Sequence, residues 1–338
     1  MMARGQSLRP SVNVVPERGK SRRAEKPSSE TSAAAAAGSG VPAACSACGA
    51  ASFAERAVVS DLHTATCQSC GLIFAVIERS EPPVPEFALV DQDRYLRSVG
   101  ETRRLQARPM LRTLLERVHP GATLLDVGCS FGFFLDAARQ AGFQIRGLEP
   151  DRQAHAYARR LLGDGVVRNE SLEPGTVPAR SADVVSTLDV VEHIPPEQHA
   201  SFAKIVRETL TARGVWVIKV PSTEGLYYKL SDRLLRLRPE IGESLVRRLW
   251  QTRYEYPHLV YFSRRSLSTW LDRSGFSVLA HRYVQEVPTR TAVDRLMTDG
   301  DIGRLKAYIA APAVFAVNVV EWMRRRSDSL VVFATPRR

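Results

Sequence analysis

The clearest pattern in this chain is an alternation of short apolar runs with longer amphipathic segments, which begins at Thr123. Such alternation is typical of β-α units around a parallel sheet. Seven runs are predicted as strands, over residues 123–127, 144–148, 165–168, 182–187, 215–220, 277–283 and 329–334. The clearest helices are predicted over residues 133–141, 153–161, 196–210 and 266–274. Strands and helices in this order predict an α/β fold with a doubly wound, seven-stranded sheet.

The part of the chain before this sheet changes texture three times. A polar, basic stretch ends in an alanine-rich segment and is typical of disorder. A short cysteine-bearing stretch follows, and then Pro82, Pro83 and Pro85 indicate a stiff linker. The predicted organisation is a disordered tail over residues 1–44, a compact cysteine-bearing unit over 45–80 and a linker over 81–104. A main domain follows over 105–338, with one insert over 222–262.

Composition excludes several classes of protein. The 338 residues are 44% apolar and 25% charged, close to globular averages, so wholesale disorder and a collagen-like fibre are excluded. The longest nearly apolar run, residues 307–320, is shorter than the roughly 20 residues that a spanning helix needs, so no transmembrane segment is predicted. Few, paired cysteines and no apolar segment after the first arginines predict a cytoplasmic protein. The net charge of +11 suits a nucleic acid or an acidic small substrate.

A glycine turn follows the first predicted strand. The stretch Leu124-Leu-Asp-Val-Gly-Cys-Ser-Phe-Gly132 predicts a strand, a turn and a helix start, an arrangement that presents backbone N–H groups to a nucleotide-like ligand. A dinucleotide would require glycine or another small residue at three positions of the turn, where this chain has Gly128, Ser130 and Phe133. Because Phe133 would hold the helix away from the strand, binding of NAD is disfavoured.

The same stretch resembles motif I of the class I S-adenosylmethionine-dependent methyltransferases. Similar blocks of this family follow in order over residues 147–150, 168–173, 182–195 and 214–221. The resemblance implies a Rossmann-like sheet, methyl transfer and S-adenosylmethionine as cofactor, with the carboxylate of Glu149 on the two ribose hydroxyls. It assigns to the cofactor site Asp126, Gly128, Cys129, Ser130, Gly132, Glu149, Pro150, Ser171, Leu172, Leu188 and Asp189.

Some of these residues have simpler explanations. Ser130 stands where glycine is usual in this family, and serine is small enough to keep cofactor binding. Cys129 is expected as a small residue of the turn rather than a nucleophile. Asp189 is either a cofactor residue or an ordinary carboxylate at a strand end. Gly128 and Gly132 could serve the turn alone, although the lack of a Cβ also admits the cofactor.

Two C-x-x-C pairs separated by eighteen residues predict a zinc ribbon. The four predicted ligands are Cys45, Cys48, Cys67 and Cys70. Gly49 and Gly71 follow the two pairs directly and suit the tight turns around a metal. A redox dithiol pair is the alternative. A ribbon of this kind next to a methyltransferase domain resembles bacterial enzymes that methylate sugars or other small metabolites, and also some ribosomal-RNA methyltransferases.

Three residues are candidates for catalysis. Methyl transfer needs an aligned acceptor and removal of its proton. His193 and its neighbour Glu192 follow the fourth predicted strand, at the sheet edge where ligands bind. His258, in the insert, is the second candidate base if the insert folds back over this edge. For His193 and Glu192 a capping or core-polar role is the alternative.

The insert and one apolar helix complete the prediction. The insert interleaves aromatic and basic residues, so we expect a substrate lid for an acidic or sugar-like acceptor, with RNA as the alternative; residues 234–248 could instead be a solvated basic helix. The apolar helix predicted at 304–326 could be a homodimer face, a core element or a membrane-surface contact. The predicted function is methylation of an oxygen, less favourably a carbon, of a small metabolite; the alternatives are an RNA methyltransferase and a non-catalytic adaptor.

Overall fold

The computed structural model describes residues 42–59, 61–78, 82–84, 92–297 and 303–337. Almost all of the predicted disordered tail, residues 1–44, lies outside the described residues. Within them the strands are β1 Phe53–Val59, β2 Leu62–Cys67, β3 Ile73–Ile77, β4 Thr123–Val127, β5 Gln144–Leu148, β6 Val167–Arg168, β7 Ala182–Leu188, β8 Leu210–Pro221, β9 Val260–Tyr261, β10 Phe276–Val284 and β11 Ser329–Pro336. The helices are α1 Gln92–Leu115, α2 Phe133–Gln140, α3 Arg152–Leu162, α4 His199–Thr209, α5 Leu226–Leu237, α6 Pro239–Trp250, α7 Arg264–Arg273, α8 Ala292–Leu296 and α9 Arg304–Arg324.

The main sheet has seven strands in the order β10-β11-β8-β7-β4-β5-β6. The strands from β8 to β6 run parallel, while β11 is antiparallel to both β8 and β10. The predicted doubly wound, seven-stranded sheet is therefore confirmed, and β4 and β5 have the predicted bounds. Strand β6 is shorter than predicted because Gly165 has φ +80°, which ends the extended backbone.

Helices cover both faces of this sheet. On one face, α1, α2 and α3 pack through residues such as Met110, Leu135 and Leu162. On the other face, α4 and α7 pack against Trp216 in β8. Because strands β4 to β8 run parallel, their carboxyl ends meet at one edge of the sheet, where a ligand site forms.

The cysteine-bearing unit is not a separate domain. Its strands form a second sheet in the order β1-β2-β3-β9, and β9 comes from the far end of the insert. Leu72 and Phe74 share one buried core with Trp216 and Trp270 of the main domain. Ser46 Oγ lies 3.0 Å from His199 Nδ1, at the start of α4. We expected this unit to be set apart by the proline linker; the structure instead makes its core continuous with that of the main domain.

The insert differs from the predicted substrate lid. Its helices α5 and α6 pack on the small sheet, with Leu235 and Trp250 against Leu62. The ion pair between Arg247 and Asp61 joins α6 to the cysteine-bearing unit. Both ends of the insert reach the edge of the main sheet: Ser222 N donates to Asp328 O at 2.7 Å beside β11, and Leu259 follows α6 to the turn after β7. Helix α1 begins at Gln92, so the segment assigned to the linker, 81–104, includes its first half.

Helix α9 is a surface helix, so of its three predicted alternatives the core element is wrong. In the described part of the chain it is the one helix long and apolar enough to cross a membrane, by length and composition alone, and 22% of its apolar window is buried. Its large apolar side chains, Trp322 and Leu305 among them, are mostly exposed. Its inward side chains are few, and Asn318 and Glu321 are two of them.

Candidate cofactor and acceptor site

The glycine turn between β4 and α2 has a left-handed backbone at three positions. Gly128, Ser130 and Gly132 have φ values of +68°, +49° and +79°. A Cβ on Gly128 would lie 2.7 Å from the Val190 side chain, and one on Gly132 would lie 2.8 Å from Leu162. Packing and backbone conformation therefore both require glycine at these two positions, as the turn interpretation predicted.

The N–H groups of this turn donate within the protein. Gly128 N and Cys129 N both donate to Leu148 O, at 2.8 and 3.1 Å, and Gly132 N donates to Cys129 O. Ser130 N donates to Glu149 Oε2 at 2.7 Å. We expected the turn to present N–H groups to a ligand, as phosphate sites do. These four are already paired, so the turn favours a ligand without a phosphate.

Glu149 joins the glycine turn to the start of α3. Besides accepting from Ser130 N, it accepts from Asp151 N through Oε1 at 2.8 Å. Asn169, which the sequence analysis missed, donates to Glu149 O at 2.8 Å and holds the loop after β6 against it. The carboxylate is buried, and both of its oxygens accept hydrogen bonds from the backbone. Backbone N–H groups of the glycine turn and of the start of α3 therefore orient the Glu149 carboxylate.

Asp126 lies beneath this turn, on the central strand β4. Its Oδ1 accepts from Ser186 Oγ at 2.6 Å, and the residue is buried. Burial raises the pKa of Asp126 to about 7, against the opposing effect of the Ser186 hydrogen bond. Its predicted contact with the cofactor stays a prediction.

The remaining predicted cofactor residues differ in exposure. Leu172 and Leu188 are buried, whereas Pro150 and Ser171 are exposed at the carboxyl edge of the sheet. Cys129 is also buried, and burial raises the pKa of its thiol well above the usual value. A thiol in that state is a poor nucleophile, which favours the interpretation of Cys129 as a small residue of the turn.

Asp189 belongs to a charged cluster that the sequence analysis missed. Its carboxylate accepts from Lys219 Nζ at 2.7 and 2.8 Å and also pairs with Arg103 of α1. Lys219 Nζ reaches Glu286 as well, at 3.0 Å. Although burial would raise it, the pKa of Asp189 is held below its usual value by Arg103 and Lys219. One signal was available: Lys219 is a charged residue inside an apolar run, and a buried charge needs a partner.

The three predicted catalytic residues come together. The ligand atoms of Glu192, His193 and His258 all lie within 4.8 Å of one another. The two imidazole centroids are 4.9 Å apart. The end of the insert is bound to this turn, because Leu259 N donates to Glu192 O at 2.7 Å. The insert thus folds back over the sheet edge through these few residues, and not through its helices.

Backbone and hydroxyl groups orient both imidazoles. His193 Nδ1 lies 2.9 Å from Pro257 O, a carbonyl that can only accept, so Nδ1 carries the hydrogen. Tyr261 donates its hydroxyl to Leu249 O at 2.8 Å, so its oxygen accepts from His258 Nδ1 at 3.3 Å. In both rings Nε2 is left as the basic nitrogen.

Burial sets the protonation of this group. It lowers the pKa of His193, and it lowers that of His258 to about 3, with the His193 charge as the next cause. It raises the pKa of Glu192 well above the usual value, helped by the negative charge of Asp189. Near neutral pH the two imidazoles are therefore neutral, and the raised pKa of Glu192 favours its protonated form. Both carboxyl oxygens of Glu192 are buried and have no hydrogen-bond partner among the described residues.

Two groups in the described residues could hold a metal ion. One is this set of two imidazoles and a carboxyl group. The other is the set of four cysteines, which are free thiols. Cys45 Sγ and Cys70 Sγ lie 3.5 Å apart, as do Cys48 Sγ and Cys67 Sγ.

The two C-x-x-C turns have the same hydrogen bonds. Gly49 N donates to Cys45 O at 2.8 Å, and Gly71 N donates to Cys67 O at 2.9 Å. Gly49 and Gly71 have φ values of +77° and +78°, which agrees with the expectation that glycine closes each turn. The sequence therefore folds each pair into the same knuckle, and the two knuckles face one another through their sulfurs.

Comparison with known families decides the class of the protein. The profile of a family described as a methyltransferase domain matches residues 99–281, more than half of the chain. The chain belongs to the S-adenosylmethionine-dependent methyltransferases. The resemblance noted in the sequence is thus confirmed at the level of the family. The matched region contains the glycine turn, Glu149 and the three clustered residues Glu192, His193 and His258.

Curated relatives of this methyltransferase match a shorter region. It is 31% identical over 134 residues to the methoxy mycolic acid synthase MmaA3 of Mycobacterium tuberculosis, covering 38% of this chain and 45% of that protein. It is 33% identical over 107 residues to the ubiquinone biosynthesis O-methyltransferase of Paraburkholderia xenovorans, covering 29% of this chain and 43% of that protein. The chain spans about half the length of the curated relatives it matches.

Two solved structures, one archaeal and one bacterial, are among those similar in fold to this methyltransferase. A SAM-dependent methyltransferase from Archaeoglobus fulgidus has a TM-score of 0.46 and 16% identity, covering 71% of this chain and 99% of that one. The cyclopropane synthase MmaA2 from Mycobacterium tuberculosis has a TM-score of 0.47 and 16% identity, covering 68% of this chain and 82% of that one.

Proposed function

We propose that this protein transfers a methyl group from S-adenosylmethionine to an oxygen of a small acceptor. When bound, the sulfonium supplies an activated methyl group, so the chain must mainly align the acceptor and take up a proton. One observation carries the proposal: Glu192, a buried carboxyl group with no hydrogen-bond partner in the described part of the chain, lies beside two neutral imidazoles at the sheet edge where the family binds its cofactor. A bound hydroxyl could satisfy this carboxyl group while an imidazole accepts its proton.

The cofactor side supports this proposal through Glu149 and the glycine turn. S-adenosylmethionine has no phosphate, which suits a turn whose N–H groups donate within the protein. Glu149 is preoriented by two backbone N–H groups, so its carboxylate is held at the turn in position to accept from the two ribose hydroxyls. Asp126, Leu188 and Asp189 line the same strand ends in this proposal.

The base in this proposal is His193, with His258 beside it. Its Nδ1 is held by Pro257 O, which fixes the ring and leaves Nε2 to accept a proton. Because its pKa is lowered, His193 is already neutral at pH 7 and needs no prior deprotonation. Among the relatives, one is named an O-methyltransferase and another a methoxy mycolic acid synthase. Those names support an oxygen acceptor, and a carbon acceptor is the second candidate.

We further infer that the four cysteines hold one zinc ion. Four thiolates at about 2.3 Å from zinc lie about 3.8 Å from one another, close to the 3.5 Å between paired sulfurs here. The sulfurs sit in a core shared with the main domain. The metal in this proposal stabilises the fold and takes no part in catalysis.

We predict that Glu149→Ala weakens S-adenosylmethionine binding by about 1.5–3 kcal/mol for each charge-assisted hydrogen bond that is lost. Titration calorimetry with S-adenosylmethionine and S-adenosylhomocysteine measures the change. Glu173→Ala, a change at an exposed residue of the nearby loop, is the matched control and should bind as the wild type does. Unchanged affinity in Glu149→Ala would remove Glu149 from the cofactor site.

The salt dependence of acceptor binding tests RNA as the alternative substrate. An RNA held by several lysines and arginines would lose affinity by a factor of about 10³–10⁵ between about 50 and 200 mM salt. A small acceptor held by one or two charges would lose little, and this shallow dependence is our prediction. The described fold supports it, because the basic helices α5 and α6 pack on the small sheet. Tight binding of ribosomal RNA with a steep slope would favour RNA instead.

A further inference from the structure

Helix α9 presents a long apolar face to solvent. Six of its large apolar side chains are each more than half exposed: Leu305, Tyr308, Ile309, Phe315, Trp322 and Met323. The seventeen residues between Lys306 and Arg324 span about 25 Å of helix, and the sole charged residue among them is Glu321. A contiguous exposed face of this kind on a folded domain marks an interaction surface.

The polar residues of α9 hold it to the protein. Asn318 Nδ2 donates to Val287 O at 3.0 Å. The Glu321 carboxylate accepts from Leu226 N at 2.9 Å and from Ser327 Oγ at 2.5 Å. Four residues after the helix, the chain enters β11, which lies inside the main sheet. The helix therefore cannot leave the domain to span a bilayer, and any apolar partner must come to its outer face.

Charge selects the kind of partner. Basic residues stand at both ends of the apolar face: Arg304 and Lys306 at its start, and Arg324, Arg325 and Arg326 at its end. The carboxylate of Glu321 is buried, and Arg326 pairs with Glu224 at 3.2 Å, so the exposed charge at the two ends comes mainly from the other four basic residues. An apolar face with basic ends matches the acyl and headgroup layers of an anionic lipid surface.

The same charges disfavour a second copy of this chain. If two copies paired along α9, either the like ends or the opposite ends of the helices would meet. In each arrangement the ends that meet are positive, because both ends of the helix are basic. Repulsion of like charges at both ends opposes such a dimer.

We propose that α9 docks this protein onto an anionic phospholipid surface, with the helix lying in the plane of the interface. Trp322 then enters the headgroup and acyl boundary while the arginines beside it contact lipid phosphates. This inference is independent of the acceptor proposed above.

Vesicle binding by the full chain tests this proposal. We expect binding to vesicles of phosphatidylcholine with about 30 mol% phosphatidylglycerol to be at least about tenfold tighter than to phosphatidylcholine alone, and to weaken with salt. The triple variant Ile309→Ser, Phe315→Ser and Met323→Ser should lose this binding while melting as the wild type does. Leu279→Ser, an exposed apolar residue on β10, is the matched control and should bind normally.

Tryptophan fluorescence reports which face touches the lipid. The other three tryptophans, Trp216, Trp250 and Trp270, are buried, so quenching by brominated acyl chains reports Trp322. We expect quenching in the wild type, and binding without this quenching in Trp322→Phe. Equal binding to neutral and anionic vesicles, no quenching, or a solution dimer that the triple variant dissociates without any vesicle binding would each overturn the proposal.

Discussion

Replacing His193 with alanine is expected to lower kcat by about 10²–10⁴ while leaving the affinity for S-adenosylmethionine unchanged. In the proposed mechanism Nε2 of this ring accepts the proton, whereas Glu149 and the glycine turn hold the cofactor. In the wild type, the ascending limb of the pH–rate profile should lie below pH 6.5, because burial lowers the pKa of His193 from 6.5. The neutral imidazole is the active form, so the rate rises with pH through this value and then levels off. Steady-state kinetics with an identified acceptor measure both effects.

A control variant and changes at each member of the group separate the roles of Glu192, His193 and His258. His119→Ala changes an exposed histidine at the far end of the sheet and should leave kcat unchanged. Glu192→Gln keeps the shape of a carboxyl group whose neutral form is favoured by burial, so it should retain most activity. If His193→Ala and His258→Ala both keep full turnover and the ascending limb, neither histidine is the base. A second metal ion per chain that His258→Ala abolishes would assign the group to cation binding instead.

Replacing Cys45 or Cys70 with serine is expected to remove zinc and to lower the free energy of unfolding of the whole protein by roughly 4–5 kcal/mol or more. A separate ribbon would unfold alone, but here the cysteines lie in one core with Trp216 and Trp270. Loss of the metal should therefore lower the melting temperature of the main domain, by on the order of 10 °C. Elemental analysis measures one zinc per chain, and calorimetry measures the melting transition.

Cys129→Ser is the control for metal content, because Cys129 is the fifth cysteine and lies in the glycine turn, outside the four-cysteine group. It should keep one zinc per chain. Retention of zinc in Cys45→Ser would remove that cysteine from the site. Loss of zinc with an unchanged melting temperature would show instead that the ribbon is energetically separate from the main sheet. A disulfide in place of metal in the wild type would contradict the zinc proposal altogether.

The sequence predicted the main sheet closely because its strands are buried on both faces. Such strands appear as largely apolar runs, and Thr123–Val127 was located to the residue. Gln144–Leu148 was also located to the residue, although its first three residues are exposed or half-buried. It failed where a segment packs through long-range contacts. The insert has the composition of a lid, yet Leu235 and Trp250 of its two helices find their apolar partners in the small sheet. Nothing local in residues 222–262 encodes that choice.

The charged cluster shows the same limit. Lys219 signals a buried charge within an apolar strand, but its partners Asp189 and Glu286 lie 30 and 67 residues away. A side chain's pairing depends on which strand ends become neighbours, and that is a property of the assembled sheet. The same holds for His258, which reaches His193 because Leu259 hydrogen-bonds to the turn at Glu192.

The sequence by itself therefore determined the family, the strand order along the chain, the glycine turn with Glu149, and the two cysteine knuckles. Each of these depends on residues close together in the chain, where spacing and backbone conformation fix the geometry. Only the tertiary structure decided that the ribbon shares the core of the main domain, that Glu192 is buried without a partner, and that α9 keeps its apolar face outside. These features depend on burial, and burial is set by which distant surfaces pack together.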